Sequence, residues 1–545
     1  MHAGRSHGLR RALSRLGAAL TLTLSLAAPA AADALWTLDA DSEIQFQSLT
    51  PLGSLLVSTE QALMAVDPAT GKVLWKRDDI KKLKECNYDE VAGTAYGMFD
   101  VGEGVGGTQR RVEVIDLATG QKKWDSSGLP MASSQGVMVV PQKGMLIIAG
   151  APKKGSTKTT LIGVNADNGE MKWQKDGLFT KNVVLREVHG SGKLFKRYAI
   201  EGSQPPVFDT DDSAILFLTE EGPVKIDLNS GEKLWTADKL KGEDPSAVSD
   251  GYAPMLFESG VVYVPYKKSV MALDAKTGQP LWPKDHDFKS RVAQMALTPQ
   301  GLVVRGQPQV NAKGKLDGKP FIDVLDPKTG ESVWKKPFKD MDGATTFDLK
   351  GGRLFIAADG ELFSIGLADG SPKSVMKIKF KGNEEPTRLE VHGDDYVLLS
   401  SQNVMRVTPG GEIRYHSFHQ APGQSGWIKV LSTAAVMASN AASASYAHSQ
   451  AMADPGTTYH YTMYGNPELS RRFKASSNSR EYAAMLTQVE DSGKKGSGLI
   501  KVAKTDGKDA GSCYLGDKTP QYVMDEIDGR VFYLKTDKQI VAYSF

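Results

Sequence analysis

The side chains able to do chemistry are few and scattered. Cys86 and Cys513 sit near opposite ends of the 545-residue chain, and no Cys-Cys dipeptide exists. In an oxidising compartment the two could pair, a bond that needs Cα atoms within about 7 Å, and the sequence leaves that pairing open. His416 and His419, at i and i+3, form the one close histidine pair outside the N-terminal segment. No cysteine, third histidine or arranged carboxylate joins them, so they are expected to be surface residues rather than zinc ligands. His448 and His460 are equally isolated. A Ser-His-Asp or metal site is therefore not expected, and no catalytic, cofactor-binding or metal-binding residue is assigned.

The aspartates, by contrast, are ordered. Asp67-Pro68-Ala69-Thr70-Gly71-Lys72-Val73-Leu74-Trp75 carries an Asp, a Gly and a Trp at a spacing that returns along the chain. Asp116, Gly120 and Trp124 repeat it, as do Asn165, Gly169 and Trp173, then Asp227, Gly231 and Trp235. Asp274, Gly278 and Trp282 follow, and Asp326, Gly330 and Trp334 complete six copies. The alternating run before each Asp reads as a strand entering a turn. The Asp or Asn side chain can accept bonds from turn amides, and Gly supplies the positive φ that closes the turn. A second strand then leaves, carrying a tryptophan four residues after the glycine. A large ring recurring at one structural position is best explained by burial against the next unit. Of the eight tryptophans, six hold this position, Trp36 begins the mature chain, and Trp427 lies elsewhere.

This repeat resembles that of the quinoprotein (PQQ-like) β-propeller superfamily, whose units end in A-x-D-x-x-T-G-x-x-x-W. Met64-Ala65-Val66-Asp67-Pro68-Ala69-Thr70-Gly71 and Met271-Ala272-Leu273-Asp274-Ala275-Lys276-Thr277-Gly278 match it closely. The resemblance implies an all-β fold, a closed propeller of four-stranded blades. It also implies that Trp36, Trp75, Trp124, Trp173, Trp235, Trp282 and Trp334 dock neighbouring blades.

Residues 1–32 read as a secretory signal peptide, with Arg5, Arg10, Arg11 and Arg15 before an apolar stretch and Ala30-Ala31-Ala32 as the cleavage site. No Cys follows the apolar run, so the bacterial lipobox is missing. Cleavage removes four arginines and no acid, turning the formal +2 into −2. Neither a nucleic-acid track nor a later span of about 20 apolar residues is present. The mature chain, 33–545, is expected to be a monomeric propeller without a transmembrane span, periplasmic or secreted.

Along the chain, an excursion from Leu178 to Gln204 reads as an inserted loop or hairpin on one face. Two weaker copies follow the sixth Trp, with Ser374 and Tyr415 where the ring should stand. Residues 427–480 break the pattern, and 427–453 is expected to be a helical insertion. The polar and aromatic Tyr459–Tyr464 and Arg471-Arg472 could line a binding face. Near the end, Ile540-Val541-Ala542-Tyr543 matches the strand that enters each turn, yet the Trp strand is lacking. Leu35-Trp36-Thr37 supplies it, so the N-terminal strand is expected to complete the last blade. This count gives ten units, where eight is usual in the superfamily.

Quinone-dependent dehydrogenases of this superfamily carry a vicinal Cys-Cys disulfide, an Asp base and a Glu/Asn/Asp calcium site, none of which can be found here. Exported members without them include the BamB family of outer-membrane assembly factors, which this chain resembles most. The expectation is a non-catalytic scaffold, not an enzyme and without cofactor, that binds protein partners of the cell envelope. The alternative is a PQQ- or small-ligand-binding propeller acting as a quinone-dependent dehydrogenase or sensor.

Overall fold

A computed structural model of the chain describes residues 34–545 apart from 422–480 and shorter stretches, chiefly 104–108, 153–159, 178–184, 199–206, 241–252 and 311–315. The expected signal peptide, the expected helix at 427–453 with Trp427, and the Tyr459–Tyr464 and Arg471-Arg472 segments lie outside the described residues.

Among the described residues the protein forms eight four-stranded sheets, two three-stranded sheets and two two-stranded ribbons. The ten larger sheets follow one another as antiparallel meanders. Unit one comprises Ile44–Leu49, Leu55–Thr59, Leu63–Val66 and Val73–Arg77. Units two to nine cover 88–125, 131–176, 207–236, 256–287, 291–338, 348–377, 388–418 and 482–514. Unit ten closes as the sequence implies. Its strands Gln521–Asp525, Arg530–Thr536 and Gln539–Ser544 are completed by Ala34–Asp39, with Trp36 opposite Ala542. The last sheet thus joins both ends of the described chain. The C-terminal strand Gln539–Ser544 is thereby paired on both sides.

Apolar packing runs from each sheet to the next. Phe46, Leu56 and Trp75 of unit one bury against Tyr88, Phe99 and Leu117 of unit two. Unit ten meets unit one through Trp36, Ile44, Leu55 and Phe532, and meets unit nine through Leu499, Cys513, Val531 and Tyr533. The first strands of neighbouring units touch each other around the centre, as in units one and ten. The architecture is a ten-sheet propeller.

The repeated motif has one geometry. Asp67 Oδ1 accepts from the amides of Ala69 at 2.8 Å and Thr70 at 2.9 Å, and Gly71 N–H donates back to Asp67 O at 2.9 Å. The tryptophan of each preceding unit lies on that turn. Trp36 Nε1 donates to Pro68 O at 3.0 Å, Trp75 to Leu117 O at 2.8 Å, Trp124 to Ala166 O at 2.9 Å and Trp173 to Leu228 O at 2.9 Å. Trp235, Trp282 and Trp334 do the same to Ala275, Pro327 and Leu367.

The ring presses on the turn glycine, and a Cβ added to Gly120 would stand 2.6 Å from the Trp75 ring. At φ +71° a side chain is also strained there, so glycine is required twice over. The other copies repeat this contact. Gly71 meets Trp36, Gly169 meets Trp124, Gly231 meets Trp173, Gly278 meets Trp235 and Gly330 meets Trp282, each glycine at positive φ. In three of them, Gly169 at φ +72°, Gly231 at φ +70° and Gly330 at φ +74°, an added Cβ would stand 2.5 Å from the ring. The turn amides of Gly231 and Gly330 also donate to Asp227 O and Asp326 O, as the spacing implies.

Three departures have local causes. In units five and six the outer strand is reduced to fragments and single bridges. Pro280, Pro283 and Pro337 fall there, and proline cannot donate to a ladder. In unit eight Tyr415 replaces the tryptophan, its hydroxyl donating to Lys504 O at 2.7 Å and its ring covering Gly507. In unit seven the neighbour of Ser374 takes over, because a bulge in the outer strand carries Val375 onto Gly411. Ser374 itself is exposed and donates to Glu361. Ser374→Trp is therefore expected to change stability by less than about 0.5 kcal/mol, as for other surface positions. A clear rise in unfolding temperature would show instead that the ring can displace Val375.

Candidate functional site

The two faces of the propeller are unlike. On one, the connections from first to second and third to fourth strand are short turns such as 50–54 and 67–72, whose polar groups bond within the turn. The opposite face carries the additions. These are the ribbon of Leu185–Gly190 with Lys193–Tyr198 between units three and four, and the ribbon of Gln309–Val310 with Leu316–Asp317 inside unit six. Two long hairpins also extend toward it, Tyr96–Glu103 with Gln109–Asp116 and Tyr482–Asp491 with Lys494–Ala503. The Leu178 to Gln204 excursion thus contains a hairpin.

At unit eight this face has a built polar hub. Glu384 accepts from Ser400 Oγ at 2.6 Å, Gln402 N at 3.0 Å, Gln402 Nε2 at 2.8 Å and Asn403 Nδ2 at 2.9 Å, and from Ser401 Oγ. Burial alone would raise its pKa, but these donors outweigh it and hold the carboxyl below the usual range. A carboxylate so saturated is a poor base and a good anchor. What it anchors is the chain from His419 to Ala421, since Gln402 accepts from His419 N at 2.9 Å and from Ala421 N at 2.8 Å. Glu384 therefore stabilises the fold fully above its unfolded value of about 4.3. That contribution is lost as pH falls through the lower folded value. Glu384→Gln should flatten the acid limb of a thermal stability profile; an unchanged limb would remove the hub from the account.

The histidine pair belongs here, and the expectation of surface positions is corrected. His416 is half-buried, with Nε2 2.9 Å from Asn403 Oδ1 and the ring 5.5 Å from that of Phe380, and burial lowers its pKa. His419 Nε2 lies 3.1 Å from Asp509 Oδ1. Alternation along the strand sends them to different partners, so they do not converge as ligands.

Deeper in, units eight and nine share an ion pair. Lys504 is 5% exposed, and its Nζ lies 2.7 Å from Glu390 Oε2, while Arg388 Nε holds Glu390 Oε1 at 2.7 Å. Lys504 follows the strand end at the place where Leu117, Ala166, Leu228 and Ala275 are buried in other units. Sequence reading missed it, although a lysine in that apolar column was the available signal.

The quinone cofactor of the superfamily would need a paired cysteine and a free carboxylate set. Cys513 is a free thiol buried between units nine and ten and pushed up to about 12 by that burial, so it is not disulfide-bonded to Cys86. Among the described residues no group of three His, Cys, Asp or Glu could hold a metal ion. The recurring Asp and Asn side chains are engaged by their own turns. A cavity of about 580 Å³ between units four and five includes Lys225, but Asp209 already neutralises that lysine. The described residues do not fit the cofactor.

The fold and site define an all-β propeller with a repeated Asp-Gly-Trp dock and one elaborated face. The profile of the family described as outer membrane protein assembly factor BamB matches residues 60–371, and the chain belongs to that family. Curated relatives include the dehydrogenase subunit of alcohol dehydrogenase (quinone) from Komagataeibacter europaeus, 25% identical over 359 residues, 58% of this chain and 43% of that one. The corresponding subunit from Gluconacetobacter polyoxogenes is 25% identical over 358 residues, with the same shares. The chain thus spans less than half the length of these relatives. Among solved structures, BamB from Moraxella catarrhalis aligns with a TM-score of 0.33 and 10% identity, covering 94% of this chain and 100% of that one. The relatives correct one expectation. A chain that is not an enzyme was anticipated, whereas the curated proteins it matches are named as dehydrogenase subunits.

Among the described residues no helix is long and apolar enough to cross a membrane.

Proposed function

We propose that this chain is an exported propeller that binds protein partners of the cell envelope through its insertion-bearing face, in the assembly of outer-membrane proteins. The observation that carries this reading is membership of the family described by that role. The asymmetry of the two faces supports it, because binding residues concentrate on loops held by a rigid scaffold. The test is a binding titration of the purified mature chain with an unfolded outer-membrane β-barrel polypeptide. Binding is expected, and it should fall when the ribbon at 309–317 is replaced by a tight turn, while Ser259→Arg on the opposite face leaves it unchanged. No binding, or equal loss from both changes, would count against the reading.

The second reading is quinone-dependent alcohol oxidation, favoured by the names of the curated relatives. Calorimetric titration with pyrroloquinoline quinone and Ca²⁺ is the direct check, followed by alcohol-dependent dye reduction. Tight binding at one site with turnover would establish it; absence of both would leave protein binding alone.

A further inference from the structure

Unit six carries a buried cation that the packing does not explain. Arg305 lies on Gly301–Gln307 in an otherwise apolar run and is 6% exposed. Its cross-strand neighbour is Gln294, and alternation puts both on the side of unit six that faces unit seven, as Val303 does by packing with Leu354 and Ile356. Arg291, 7% exposed and paired in register with Gln307, shares that side.

The bonding around Arg305 is one-sided. Its Nε lies 3.3 Å from Gln294 Oε1. Gln294 is itself fixed by unit seven, its Oε1 accepting from Phe347 N at 3.0 Å and its Nε2 donating to Phe347 O at 3.1 Å. No acid among the described residues reaches Arg305. On the adjoining strand Asp323 points the opposite way, held by Ser332 Oγ at 2.8 Å and 2.9 Å, and Asp348 of unit seven stands on the side of Tyr396 in unit eight. Burial pulls the Arg305 pKa down to about 10, which still leaves the guanidinium charged at neutral pH.

A desolvated cation without a counter-ion is costly, and its forked donors match a planar or tetrahedral oxyanion. We infer that Arg305 anchors a binding site for a small oxyanion, a carboxylate or phosphate, in the cleft between units six and seven. Gln294 sets the orientation of the fork. The site is independent of the protein-binding reading above.

Inorganic phosphate and malonate are the probes, each titrated into the full mature chain to low millimolar concentration by calorimetry and by thermal shift. Saturable binding of either probe with a rise in unfolding temperature is expected, and which probe binds identifies the chemistry. Arg305→Met should abolish it. If that variant does not fold, Arg305→Lys keeps the charge without the fork and should bind at least tenfold more weakly. Binding of neither probe by the unaltered chain, or undiminished binding by whichever variant folds, overturns the assignment.

Discussion

Trp124→Ala should lower the unfolding free energy by about 3–5 kcal/mol, the range for loss of a large buried ring. Trp124 is 8% exposed, packs with Met98, Val114, Leu146 and Ile162, and donates to Ala166 O across the boundary of units two and three. Alanine removes the ring and leaves that carbonyl without its indole donor, so the packing and polar losses add. Gly169→Ala attacks the same dock from the other side. Its φ of +72° disfavours any side chain, and the new Cβ would stand 2.5 Å from Trp124 Cδ2. Backbone strain of about 1–2 kcal/mol and overpacking of about 1–3 kcal/mol predict a comparable loss. Because both changes strike one contact, the double variant should lose less than the two single losses combined. Calorimetric unfolding of the three variants is the check, and full additivity would mean that ring and glycine do not act together.

Lys504→Met is expected to cost about 3 kcal/mol, the lower end for breaking a buried ion pair, since Arg388 stays on Glu390. The loss arises from leaving the Glu390 carboxylate in a desolvated place with one partner fewer. Removing both charges should therefore be milder, and Lys504→Met with Glu390→Leu should recover most of the stability. The ordering of the variants is the informative result. If the single change were neutral, solvent would have to reach the pair freely, against the 6% and 14% exposure of its two side chains.

The propeller was legible because its determinants are local and repeated. Asp67, Gly71 and Trp75 specify a turn and the ring that follows it within nine residues, and six copies make the period plain. The closing strand was legible for the same reason, since Leu35-Trp36-Thr37 repeats Leu234-Trp235-Thr236. Ser374 shows the limit. Its column marks a lost ring, but a one-residue bulge hands the contact to Val375, and a bulge has no fixed residue signature.

The candidate sites were hardly legible. Glu384 and Ser400 are 16 residues apart, Lys504 and Glu390 are 114 apart, and each pair meets only because antiparallel strands and neighbouring sheets bring distant turns together. Sequence by itself determined the unit, its repetition and the seam that joins the two ends, since backbone sterics and the turn hydrogen bonds fix these over short range. Tertiary structure decided which face bears the insertions, that His416 and His419 part company, and that Arg305 is buried beside a neutral partner. Those depend on which residues lie across an interface, and burial and charge pairing are properties of neighbours in space.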